Sequence, residues 1–361
     1  MTVIVPIGLT LNPIEVQDLQ DFIIERVFEK PVFEAIHGRF ETGVKMKEQI
    51  VFASQFGKMG LKKAAACTRQ TSGAESTLTE KFWEPVGIED TLIICQAEIN
   101  GLFKAYYTKI QNYKQLYDIT GSDLEIFYAI LVEEAITSLV WRAAWFGDTD
   151  AVTSGAATPG LVAVGNVKFY NYFDGLWKQI FTAVTATTVK RVTITENATV
   201  TSKAAQLALA AGAAKAYIRS VVDLADSRLR ADPNGIIMVT RELFDNYKQG
   251  LEDAGAAFDV MLTLEGLPSI KYDGRIIVNM ETIWGLDARE DFENNSTDNV
   301  YYLPHRIVFT VPNNIPLATL NQDDLTELDQ WYNKDEQLNK TAFGFTLDAK
   351  LLEEYMIVVA Y

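Results

Sequence analysis

The chain has 361 residues, 48% of them apolar, and carries 32 Lys and Arg against 48 Asp and Glu, a formal charge of -16. This is length for about two domains of ~150 residues, with apolar content that argues against disorder. The negative charge repels phosphate and disfavours general nucleic-acid binding.

Cys67 and Cys95 are too far apart for a C-x-x-C clip and form no disulfide framework in a chain of this size, so a reducing compartment is expected. The start, MTVIVPIGLTLN, has neither the basic nor the long apolar region of a signal peptide. No stretch reaches the ~18 uninterrupted apolar residues of a membrane helix. A soluble protein assembled in the cytoplasm is expected.

Residues 1–14 read as an extended arm, and Pro13 opens a helix from Ile14 to about Lys30, stopped by Pro31. Residues 41–98 read as one long β-hairpin with limbs ETGVKMKEQIVFASQF and KFWEPVGIEDTLIICQAEI. Its tip is rich in Gly, Ala, Ser, Thr and Lys and has little to bury, so it is either flexible or packed on another chain. Lys58, Lys62, Lys63 and Arg69 meet only Glu75 there, against the acidity of the whole.

After the aromatic-rich 99–118, Ser122 and Glu125 form an S-x-x-E capping box opening a helix over 122–147, roughly 38 Å long. Its apolar residues, among them Phe127, Leu131, Leu139, Val140 and Trp145, spread nearly all round, so it should be covered on more than one side. Leu131 is expected to lie in a packed core and Glu133 on an exposed strip.

The helix stops in WFGDTDAVTSGAATPGL. Asp148 and Asp150 invite a metal reading, but they lack the spacing and the downstream Glu of a calcium loop. The competing reading is a helix stop with Gly147 as cap, in which Asn at both positions would cost little. NYFDGLWKQIFTAV then reads as a turn into a helix, VKRVTITENATV as β-rich, and SKAAQLALAAGAAKAYIRSVVDLADSRLR as one long Ala-rich helix closed by Asp232-Pro233-Asn234-Gly235. GIIMVT is a buried-type strand, RELFDNYKQGLEDAG a helix with Thr240 as N-cap, and LPSIKYDGRIIVNM a hairpin around Asp273-Gly274. The segment 286–299 is an acidic loop, HRIVFTVPNNIPLATL is strand-like, 322–336 reads as a short acidic helix, and AFGFTLDAKLLEEYMIVVAY reads as strands.

No catalytic motif emerges. G-x-S-x-G, the Walker A loop and G-x-G-x-x-G are all missing. His37 and His305, the two histidines, are read as surface or hydrogen-bonded residues rather than as bases. Carboxylate pairs carry no signal among 48 acids. No cofactor and no metal ligand is assigned.

The order of parts resembles the major capsid protein of tailed bacteriophages. The resemblance rests on Gly147-Asp148 followed by Pro159-Gly160-Leu161, on GIIMVTRELFDNYKQGLEDAG with LPSIKYDGRIIVNM, and on RIVFTVPNNIPLAT. FWEPVGIEDTLIICQ is similar to the returning limb of the extended loop in capsid proteins of phages infecting Bacteroidetes. The resemblance implies an α+β fold: an N-terminal arm (1–40), an extended loop (41–98), a peripheral domain (99–165 and 338–361) with spine helix 122–147, and an axial domain (166–337).

It further implies hexamers and pentamers that close an icosahedral shell around double-stranded DNA, held without sequence-specific contacts and without a membrane. Partners would be portal, scaffolding and decoration proteins, and the location the virion. Lys58, Lys62, Lys63 and Arg69 would touch a neighbouring subunit; Gly147, Asp148, Pro159 and Gly160 would form a hinge after the spine helix. An encapsulin-like cargo shell shares the fold. A cytosolic metal-dependent α+β enzyme using Asp148 and Asp150 is the alternative from another class, and particle size separates it from a shell.

Overall fold

The computed structural model describes residues 31–53, 78–95, 123–151, 167–199, 201–255, 262–264, 266–284, 293–294, 300–320, 327–333, 336 and 338–361. In chain order these form α1 (Pro31–His37), β1 (Phe40–Glu41), β2 (Gln49–Ala53), β3 (Leu78–Phe82), β4 (Val86–Cys95), α2 (Asp123–Phe146), α3 (Leu176–Thr185), β5 (Lys190–Val192), α4 (Lys203–Leu207), α5 (Ala213–Leu224) and α6 (Ser227–Ala231). There follow β6 (Ile236–Val239), α7 (Arg241–Asp253), β7 (Leu262–Leu264), β8 (Leu267–Tyr272), β9 (Arg275–Asn279), α8 (Glu281–Trp284), β10 (Glu293–Asn294) and β11 (Val300–Tyr301). The last strands are β12 (Ile307–Thr310), β13 (Leu317–Ala318), β14 (Glu327–Asn333), β15 (Leu338–Ala349) and β16 (Ile357–Ala360). The arm 1–30, the hairpin tip, the stretch 99–118 and Pro159-Gly160 lie outside the described residues, as do the side chains of Phe127, Leu131 and Glu133.

Two sheets organise the chain. One has seven strands in the order β5-β16-β12-β6-β9-β8-β7. Its strands alternate between two cores, as a period-2 side-chain pattern requires. Met238, Val278, Val308 and Val359 face the core of α2 and α3, while Ile237, Ile277, Phe309 and Val358 face α5 and α7. The other sheet is built on β15, which pairs with β13, β14 and the full length of β4. Its inward side chains Ile88, Phe343, Phe345 and Leu347 join the α2 core. Residues 338–361 therefore divide between the sheets: β15 belongs to one and β16 to the other.

The C-terminal half of α2 is enclosed. Val132, Ile136, Leu139, Val140, Trp141, Ala143, Ala144, Trp145 and Phe146 are all buried, and only a short strip around Glu134 and Ser138 meets water. Phe33 of α1 stacks on Trp141 with ring centroids 4.0 Å apart. Trp145, Trp177 and Trp284 meet edge to face or tilted at 5.3–6.1 Å.

Three expectations are corrected. The acidic stretch read as a helix at 322–336 contains β14, because seven consecutive residues from Glu327 to Asn333 find antiparallel partners on β15. Sheet pairing there overrides a pattern judged on charge alone. The single Ala-rich helix is three helices, α4, α5 and α6. Ser202 caps α4 and Asp226 caps α6 through side-chain oxygens, and Gly212 at φ 74° turns the chain into α5. Gly212→Ala should therefore cost about 1–2 kcal/mol, the usual charge for a left-handed residue with a Cβ; a thermal melt of the subunit that is unmoved or raised would refute this. The third correction concerns the hairpin. β2 and β3 pair as expected, but the limb breaks at Glu84-Pro85 and β4 leaves to join β15.

The root of the hairpin is held by its own chain. Trp83 is buried with Val44 and Ala318. Asp348, fully buried, accepts a hydrogen bond from the Glu84 amide at 2.8 Å, and Lys81 donates to the Leu351 carbonyl at 2.6 Å. The β8–β9 hairpin turns at Asp273 and Gly274, both with positive φ, as the sequence predicts. No described helix is long and apolar enough to cross a membrane.

Candidate functional site

The stretch with the sharpest chemical question is the end of α2. Gly147 continues the helix by donating to Ala143, and its carbonyl accepts from the Gly175 amide at 2.9 Å. The two glycines touch backbone to backbone. A Cβ on Gly147 would lie 2.3 Å from the Phe173 carbonyl oxygen, and one on Gly175 would lie 2.7 Å from the Gly147 nitrogen. Only glycine permits this approach of α2 to the start of α3.

Asp148 is fully buried directly beyond that contact. Its amide donates to the Tyr170 carbonyl, and its Oδ1 accepts from the Asp150 amide at 3.0 Å. The Lys178 ammonium, reaching from the first turn of α3, lies 2.9 Å from Asp148 Oδ1 and 2.7 Å from Asp150 Oδ2. Burial works against the charge of Lys178, but hydrogen bonds and attraction from Asp150 and Asp148 outweigh it and raise the pKa. The position a cation would take between the two carboxylates is held by this chain's own ammonium. Among the described residues no group of three or more metal-ligating side chains gathers.

Beside this pair, Asp174 accepts from the Thr149 amide and hydroxyl, at 3.1 and 2.7 Å. Gln179 ties the junction to the end of β15: its amide donates to the Ala349 carbonyl and its oxygen accepts from the Leu351 amide. The picture of a cheap, solvent-facing turn does not describe Asp148. Asp150 differs, with 62% of its side chain exposed.

The two histidines are engaged in the fold. His37 is buried, donates from Nδ1 to the Ile315 carbonyl at 2.6 Å, and stacks beside Trp141. Burial lowers its pKa to about 4, opposed in part by that hydrogen bond. His305 is buried and bonds the Gln206 carbonyl through Nε2 at 2.8 Å. Sequence reasoning missed Arg306, which is buried over the Trp177 ring at 4.7 Å and donates to the Leu303 carbonyl at 2.9 Å. Burial lowers its pKa to about 10. It also missed Lys178, Asp174 and Gln179, whose partners lie 25 to 172 residues away.

Lys58, Lys62, Lys63, Arg69, Pro159 and Gly160 lie outside the described residues. Of the acidic segment 286–299, only Glu293–Asn294 are described, paired with Val300–Tyr301.

No protein-family profile and no curated protein matches the chain. Solved structures do. The capsid of a native GTA particle aligns with a TM-score of 0.50 at 13% identity, over 92% of this chain and 89% of that one. A structure of Gordonia phage Cozz aligns with a TM-score of 0.50 at 8% identity, over 92% of this chain and 86% of that one. With its two sheets, long enclosed helix and rooted hairpin, the chain has the α+β fold of tailed-phage capsid proteins.

Proposed function

We propose that this chain is a major capsid protein that assembles as hexamers and pentamers into an icosahedral shell enclosing double-stranded DNA. The observation that carries this reading is the fold, matched over 92% of the chain. Physical features support it. The -16 charge suits a wall to which packaged DNA does not adhere. The large apolar residues left exposed among the described ones are Met46, Phe82, Val86, Ile93 and Trp331. All five lie on or beside the hairpin and the sheet it feeds, none on the seven-stranded sheet, so apolar contact between copies belongs to that part of the molecule.

In this reading the role is structural. The seven-stranded body is the axial part and the β15 sheet with α2 the peripheral part. Lys58, Lys62, Lys63 and Arg69 meet a neighbouring subunit. Portal, scaffolding and decoration proteins complete the virion, and assembly takes place in the host cytoplasm. Purified protein should sediment as very large particles or capsomers and show closed shells by negative-stain microscopy. A single small oligomer at every concentration and salt would overturn the proposal.

A further inference from the structure

Beside β5, the edge strand of the seven-stranded sheet, lies a cavity of about 510 Å³. That is the size of a small-molecule site, and most of its wall is apolar. Phe181 and Val184 come from α3, Ile194 and Ala198 from the turn after β5, and Leu303 and the Tyr361 ring complete the apolar lining.

The charge at this cavity has one sign. No Asp or Glu is among the lining residues, in a chain of net charge -16. Arg191, exposed on β5, is the charged lining residue. Its guanidinium lies 4.8 Å from the centre of the Tyr361 ring and donates to Thr193 Oγ1 at 3.4 Å. Arg306 stands behind the wall. It is buried 5.8 Å from the Phe181 ring and donates to the carbonyls of Leu303 at 2.9 Å and Tyr302 at 3.4 Å. Its Nη1 has no hydrogen-bond partner, and among the described residues neither arginine is ion-paired. Glu196, next to the cavity, is engaged by the Tyr217 hydroxyl at 2.6 Å, and the Tyr361 main-chain oxygen by the Ile194 amide at 3.2 Å. A buried cation without a counter-charge keeps its field in an apolar surrounding, and that field favours an anion in the cavity beside it.

The wall is held in shape by its own chain. Asn197 clamps the backbone of His305, donating to its carbonyl at 2.8 Å and accepting from its amide at 3.0 Å. Leu303 has φ 47°, a left-handed conformation that residues with a Cβ rarely adopt, and Arg306 holds its carbonyl there. Backbone strain of this kind gathers at ligand clamps.

We propose that this cavity binds a small amphiphilic anion, an apolar or aromatic body ending in a carboxylate. The body would pack against Phe181, Leu303 and Tyr361, and the carboxylate would meet the Arg191 guanidinium. Arginine takes a carboxylate through two parallel N–H donors, and the apolar lining takes the rest. The inference does not depend on the assembly reading, because the cavity lies within one chain.

Equilibrium dialysis of the purified chain against radiolabelled phenylbutyrate tests it, with labelled phenylbutanol as the neutral analogue of the same body. The acid should bind at a single site per chain, and the alcohol about tenfold more weakly. Arg191→Gln should weaken the acid about tenfold and leave the alcohol unchanged, whereas Arg191→Lys, which keeps the charge, should keep part of the difference. Ala198→Trp and Thr185→Trp place an indole in the cavity from two separate exposed positions, and each should abolish binding of both probes. Circular dichroism of each variant establishes that it is folded. Failure of the acid to bind at millimolar concentration, an affinity no greater than that for the alcohol, indifference of the acid to Arg191→Gln, or binding that survives a folded tryptophan variant would each overturn the proposal.

Discussion

Lys178→Met should lower the stability of the subunit by about 3–5 kcal/mol, the cost of breaking a buried ion pair from one side. Asp148 has no exposed surface, and its Oδ2 has no hydrogen-bond partner among the described residues. Its charge is supported by the Lys178 ammonium at 2.9 Å and the Asp150 amide at 3.0 Å. Methionine keeps the apolar stem of Lys178 but removes the counter-charge, which strands a carboxylate between Gly147 and α3.

The same logic fixes the companion variants. Asp148→Asn leaves Lys178 with Asp150 and should cost less than Lys178→Met. Lys178→Met combined with Asp148→Asn should recover most of the loss, because it removes both charges and keeps an oxygen for the Asp150 amide. Asp150→Asn should fall within about 1 kcal/mol, as exposed pairs do. A chelator should leave the stability of the subunit unchanged. Urea denaturation of the unassembled subunit decides the matter. A loss below about 1 kcal/mol for Lys178→Met, or additivity in the cycle, would show that the pair is solvated and that α2 is not anchored through it.

Stability should also fall between pH 6.5 and about 4 through His37. Its pKa drops from 6.5 to about 4 on folding, because the ring is buried and Nε2 has no acceptor among the described residues. Below pH 6.5 the unfolded chain takes up a proton that the folded chain refuses. The contribution is thus fully present above 6.5 and is lost as the pH falls to about 4. At about 1.4 kcal/mol per pH unit, the loss reaches ~3 kcal/mol.

The carboxylates of this acidic chain titrate in part of the same window, so the comparison must be internal. His37→Asn keeps an N–H donor for the Ile315 carbonyl and removes the titration. The wild-type curve of stability against pH should be steeper than that of His37→Asn between 6.5 and 4, with the two converging at low pH. Parallel curves would mean that His37 is protonated in the folded state or reaches water.

Much of the local structure was legible in the sequence. Local signals write it: the Asp273-Gly274 turn, Thr240 before α7, and the apolar circle of α2 each depend on residues a few positions apart. The strand of β14 was not legible, because its cause is β15, and Glu327, Asp329 and Asn333 alone look like a solvated helix. The three-way break of the Ala-rich stretch lay in single residues, Ser202, Gly212 and Asp226, whose force is small beside the helix propensity of their neighbours. At the candidate site the sequence located Gly147 and Asp148 and framed the question of a cation. The answer, Lys178, sits inside another helix, and nothing near it announces a partner on α2.

Both sheets take an interior strand from one short stretch. β15 is the hub of its sheet and β16 lies between β5 and β12 in the other, and both come from residues 338–361. On the ribosome, the chain through residue 337 therefore holds two unfinished sheets, with β12 and β4 still lacking neighbours. Residues 338–361 take roughly 1–5 s to synthesise, and both sheets gain their missing interior strands nearly together. A chain cut before β15 is expected to lack an interior strand in both sheets at once, so a single truncation there should unfold the α2 core and the α5–α7 core together rather than leave one of them intact.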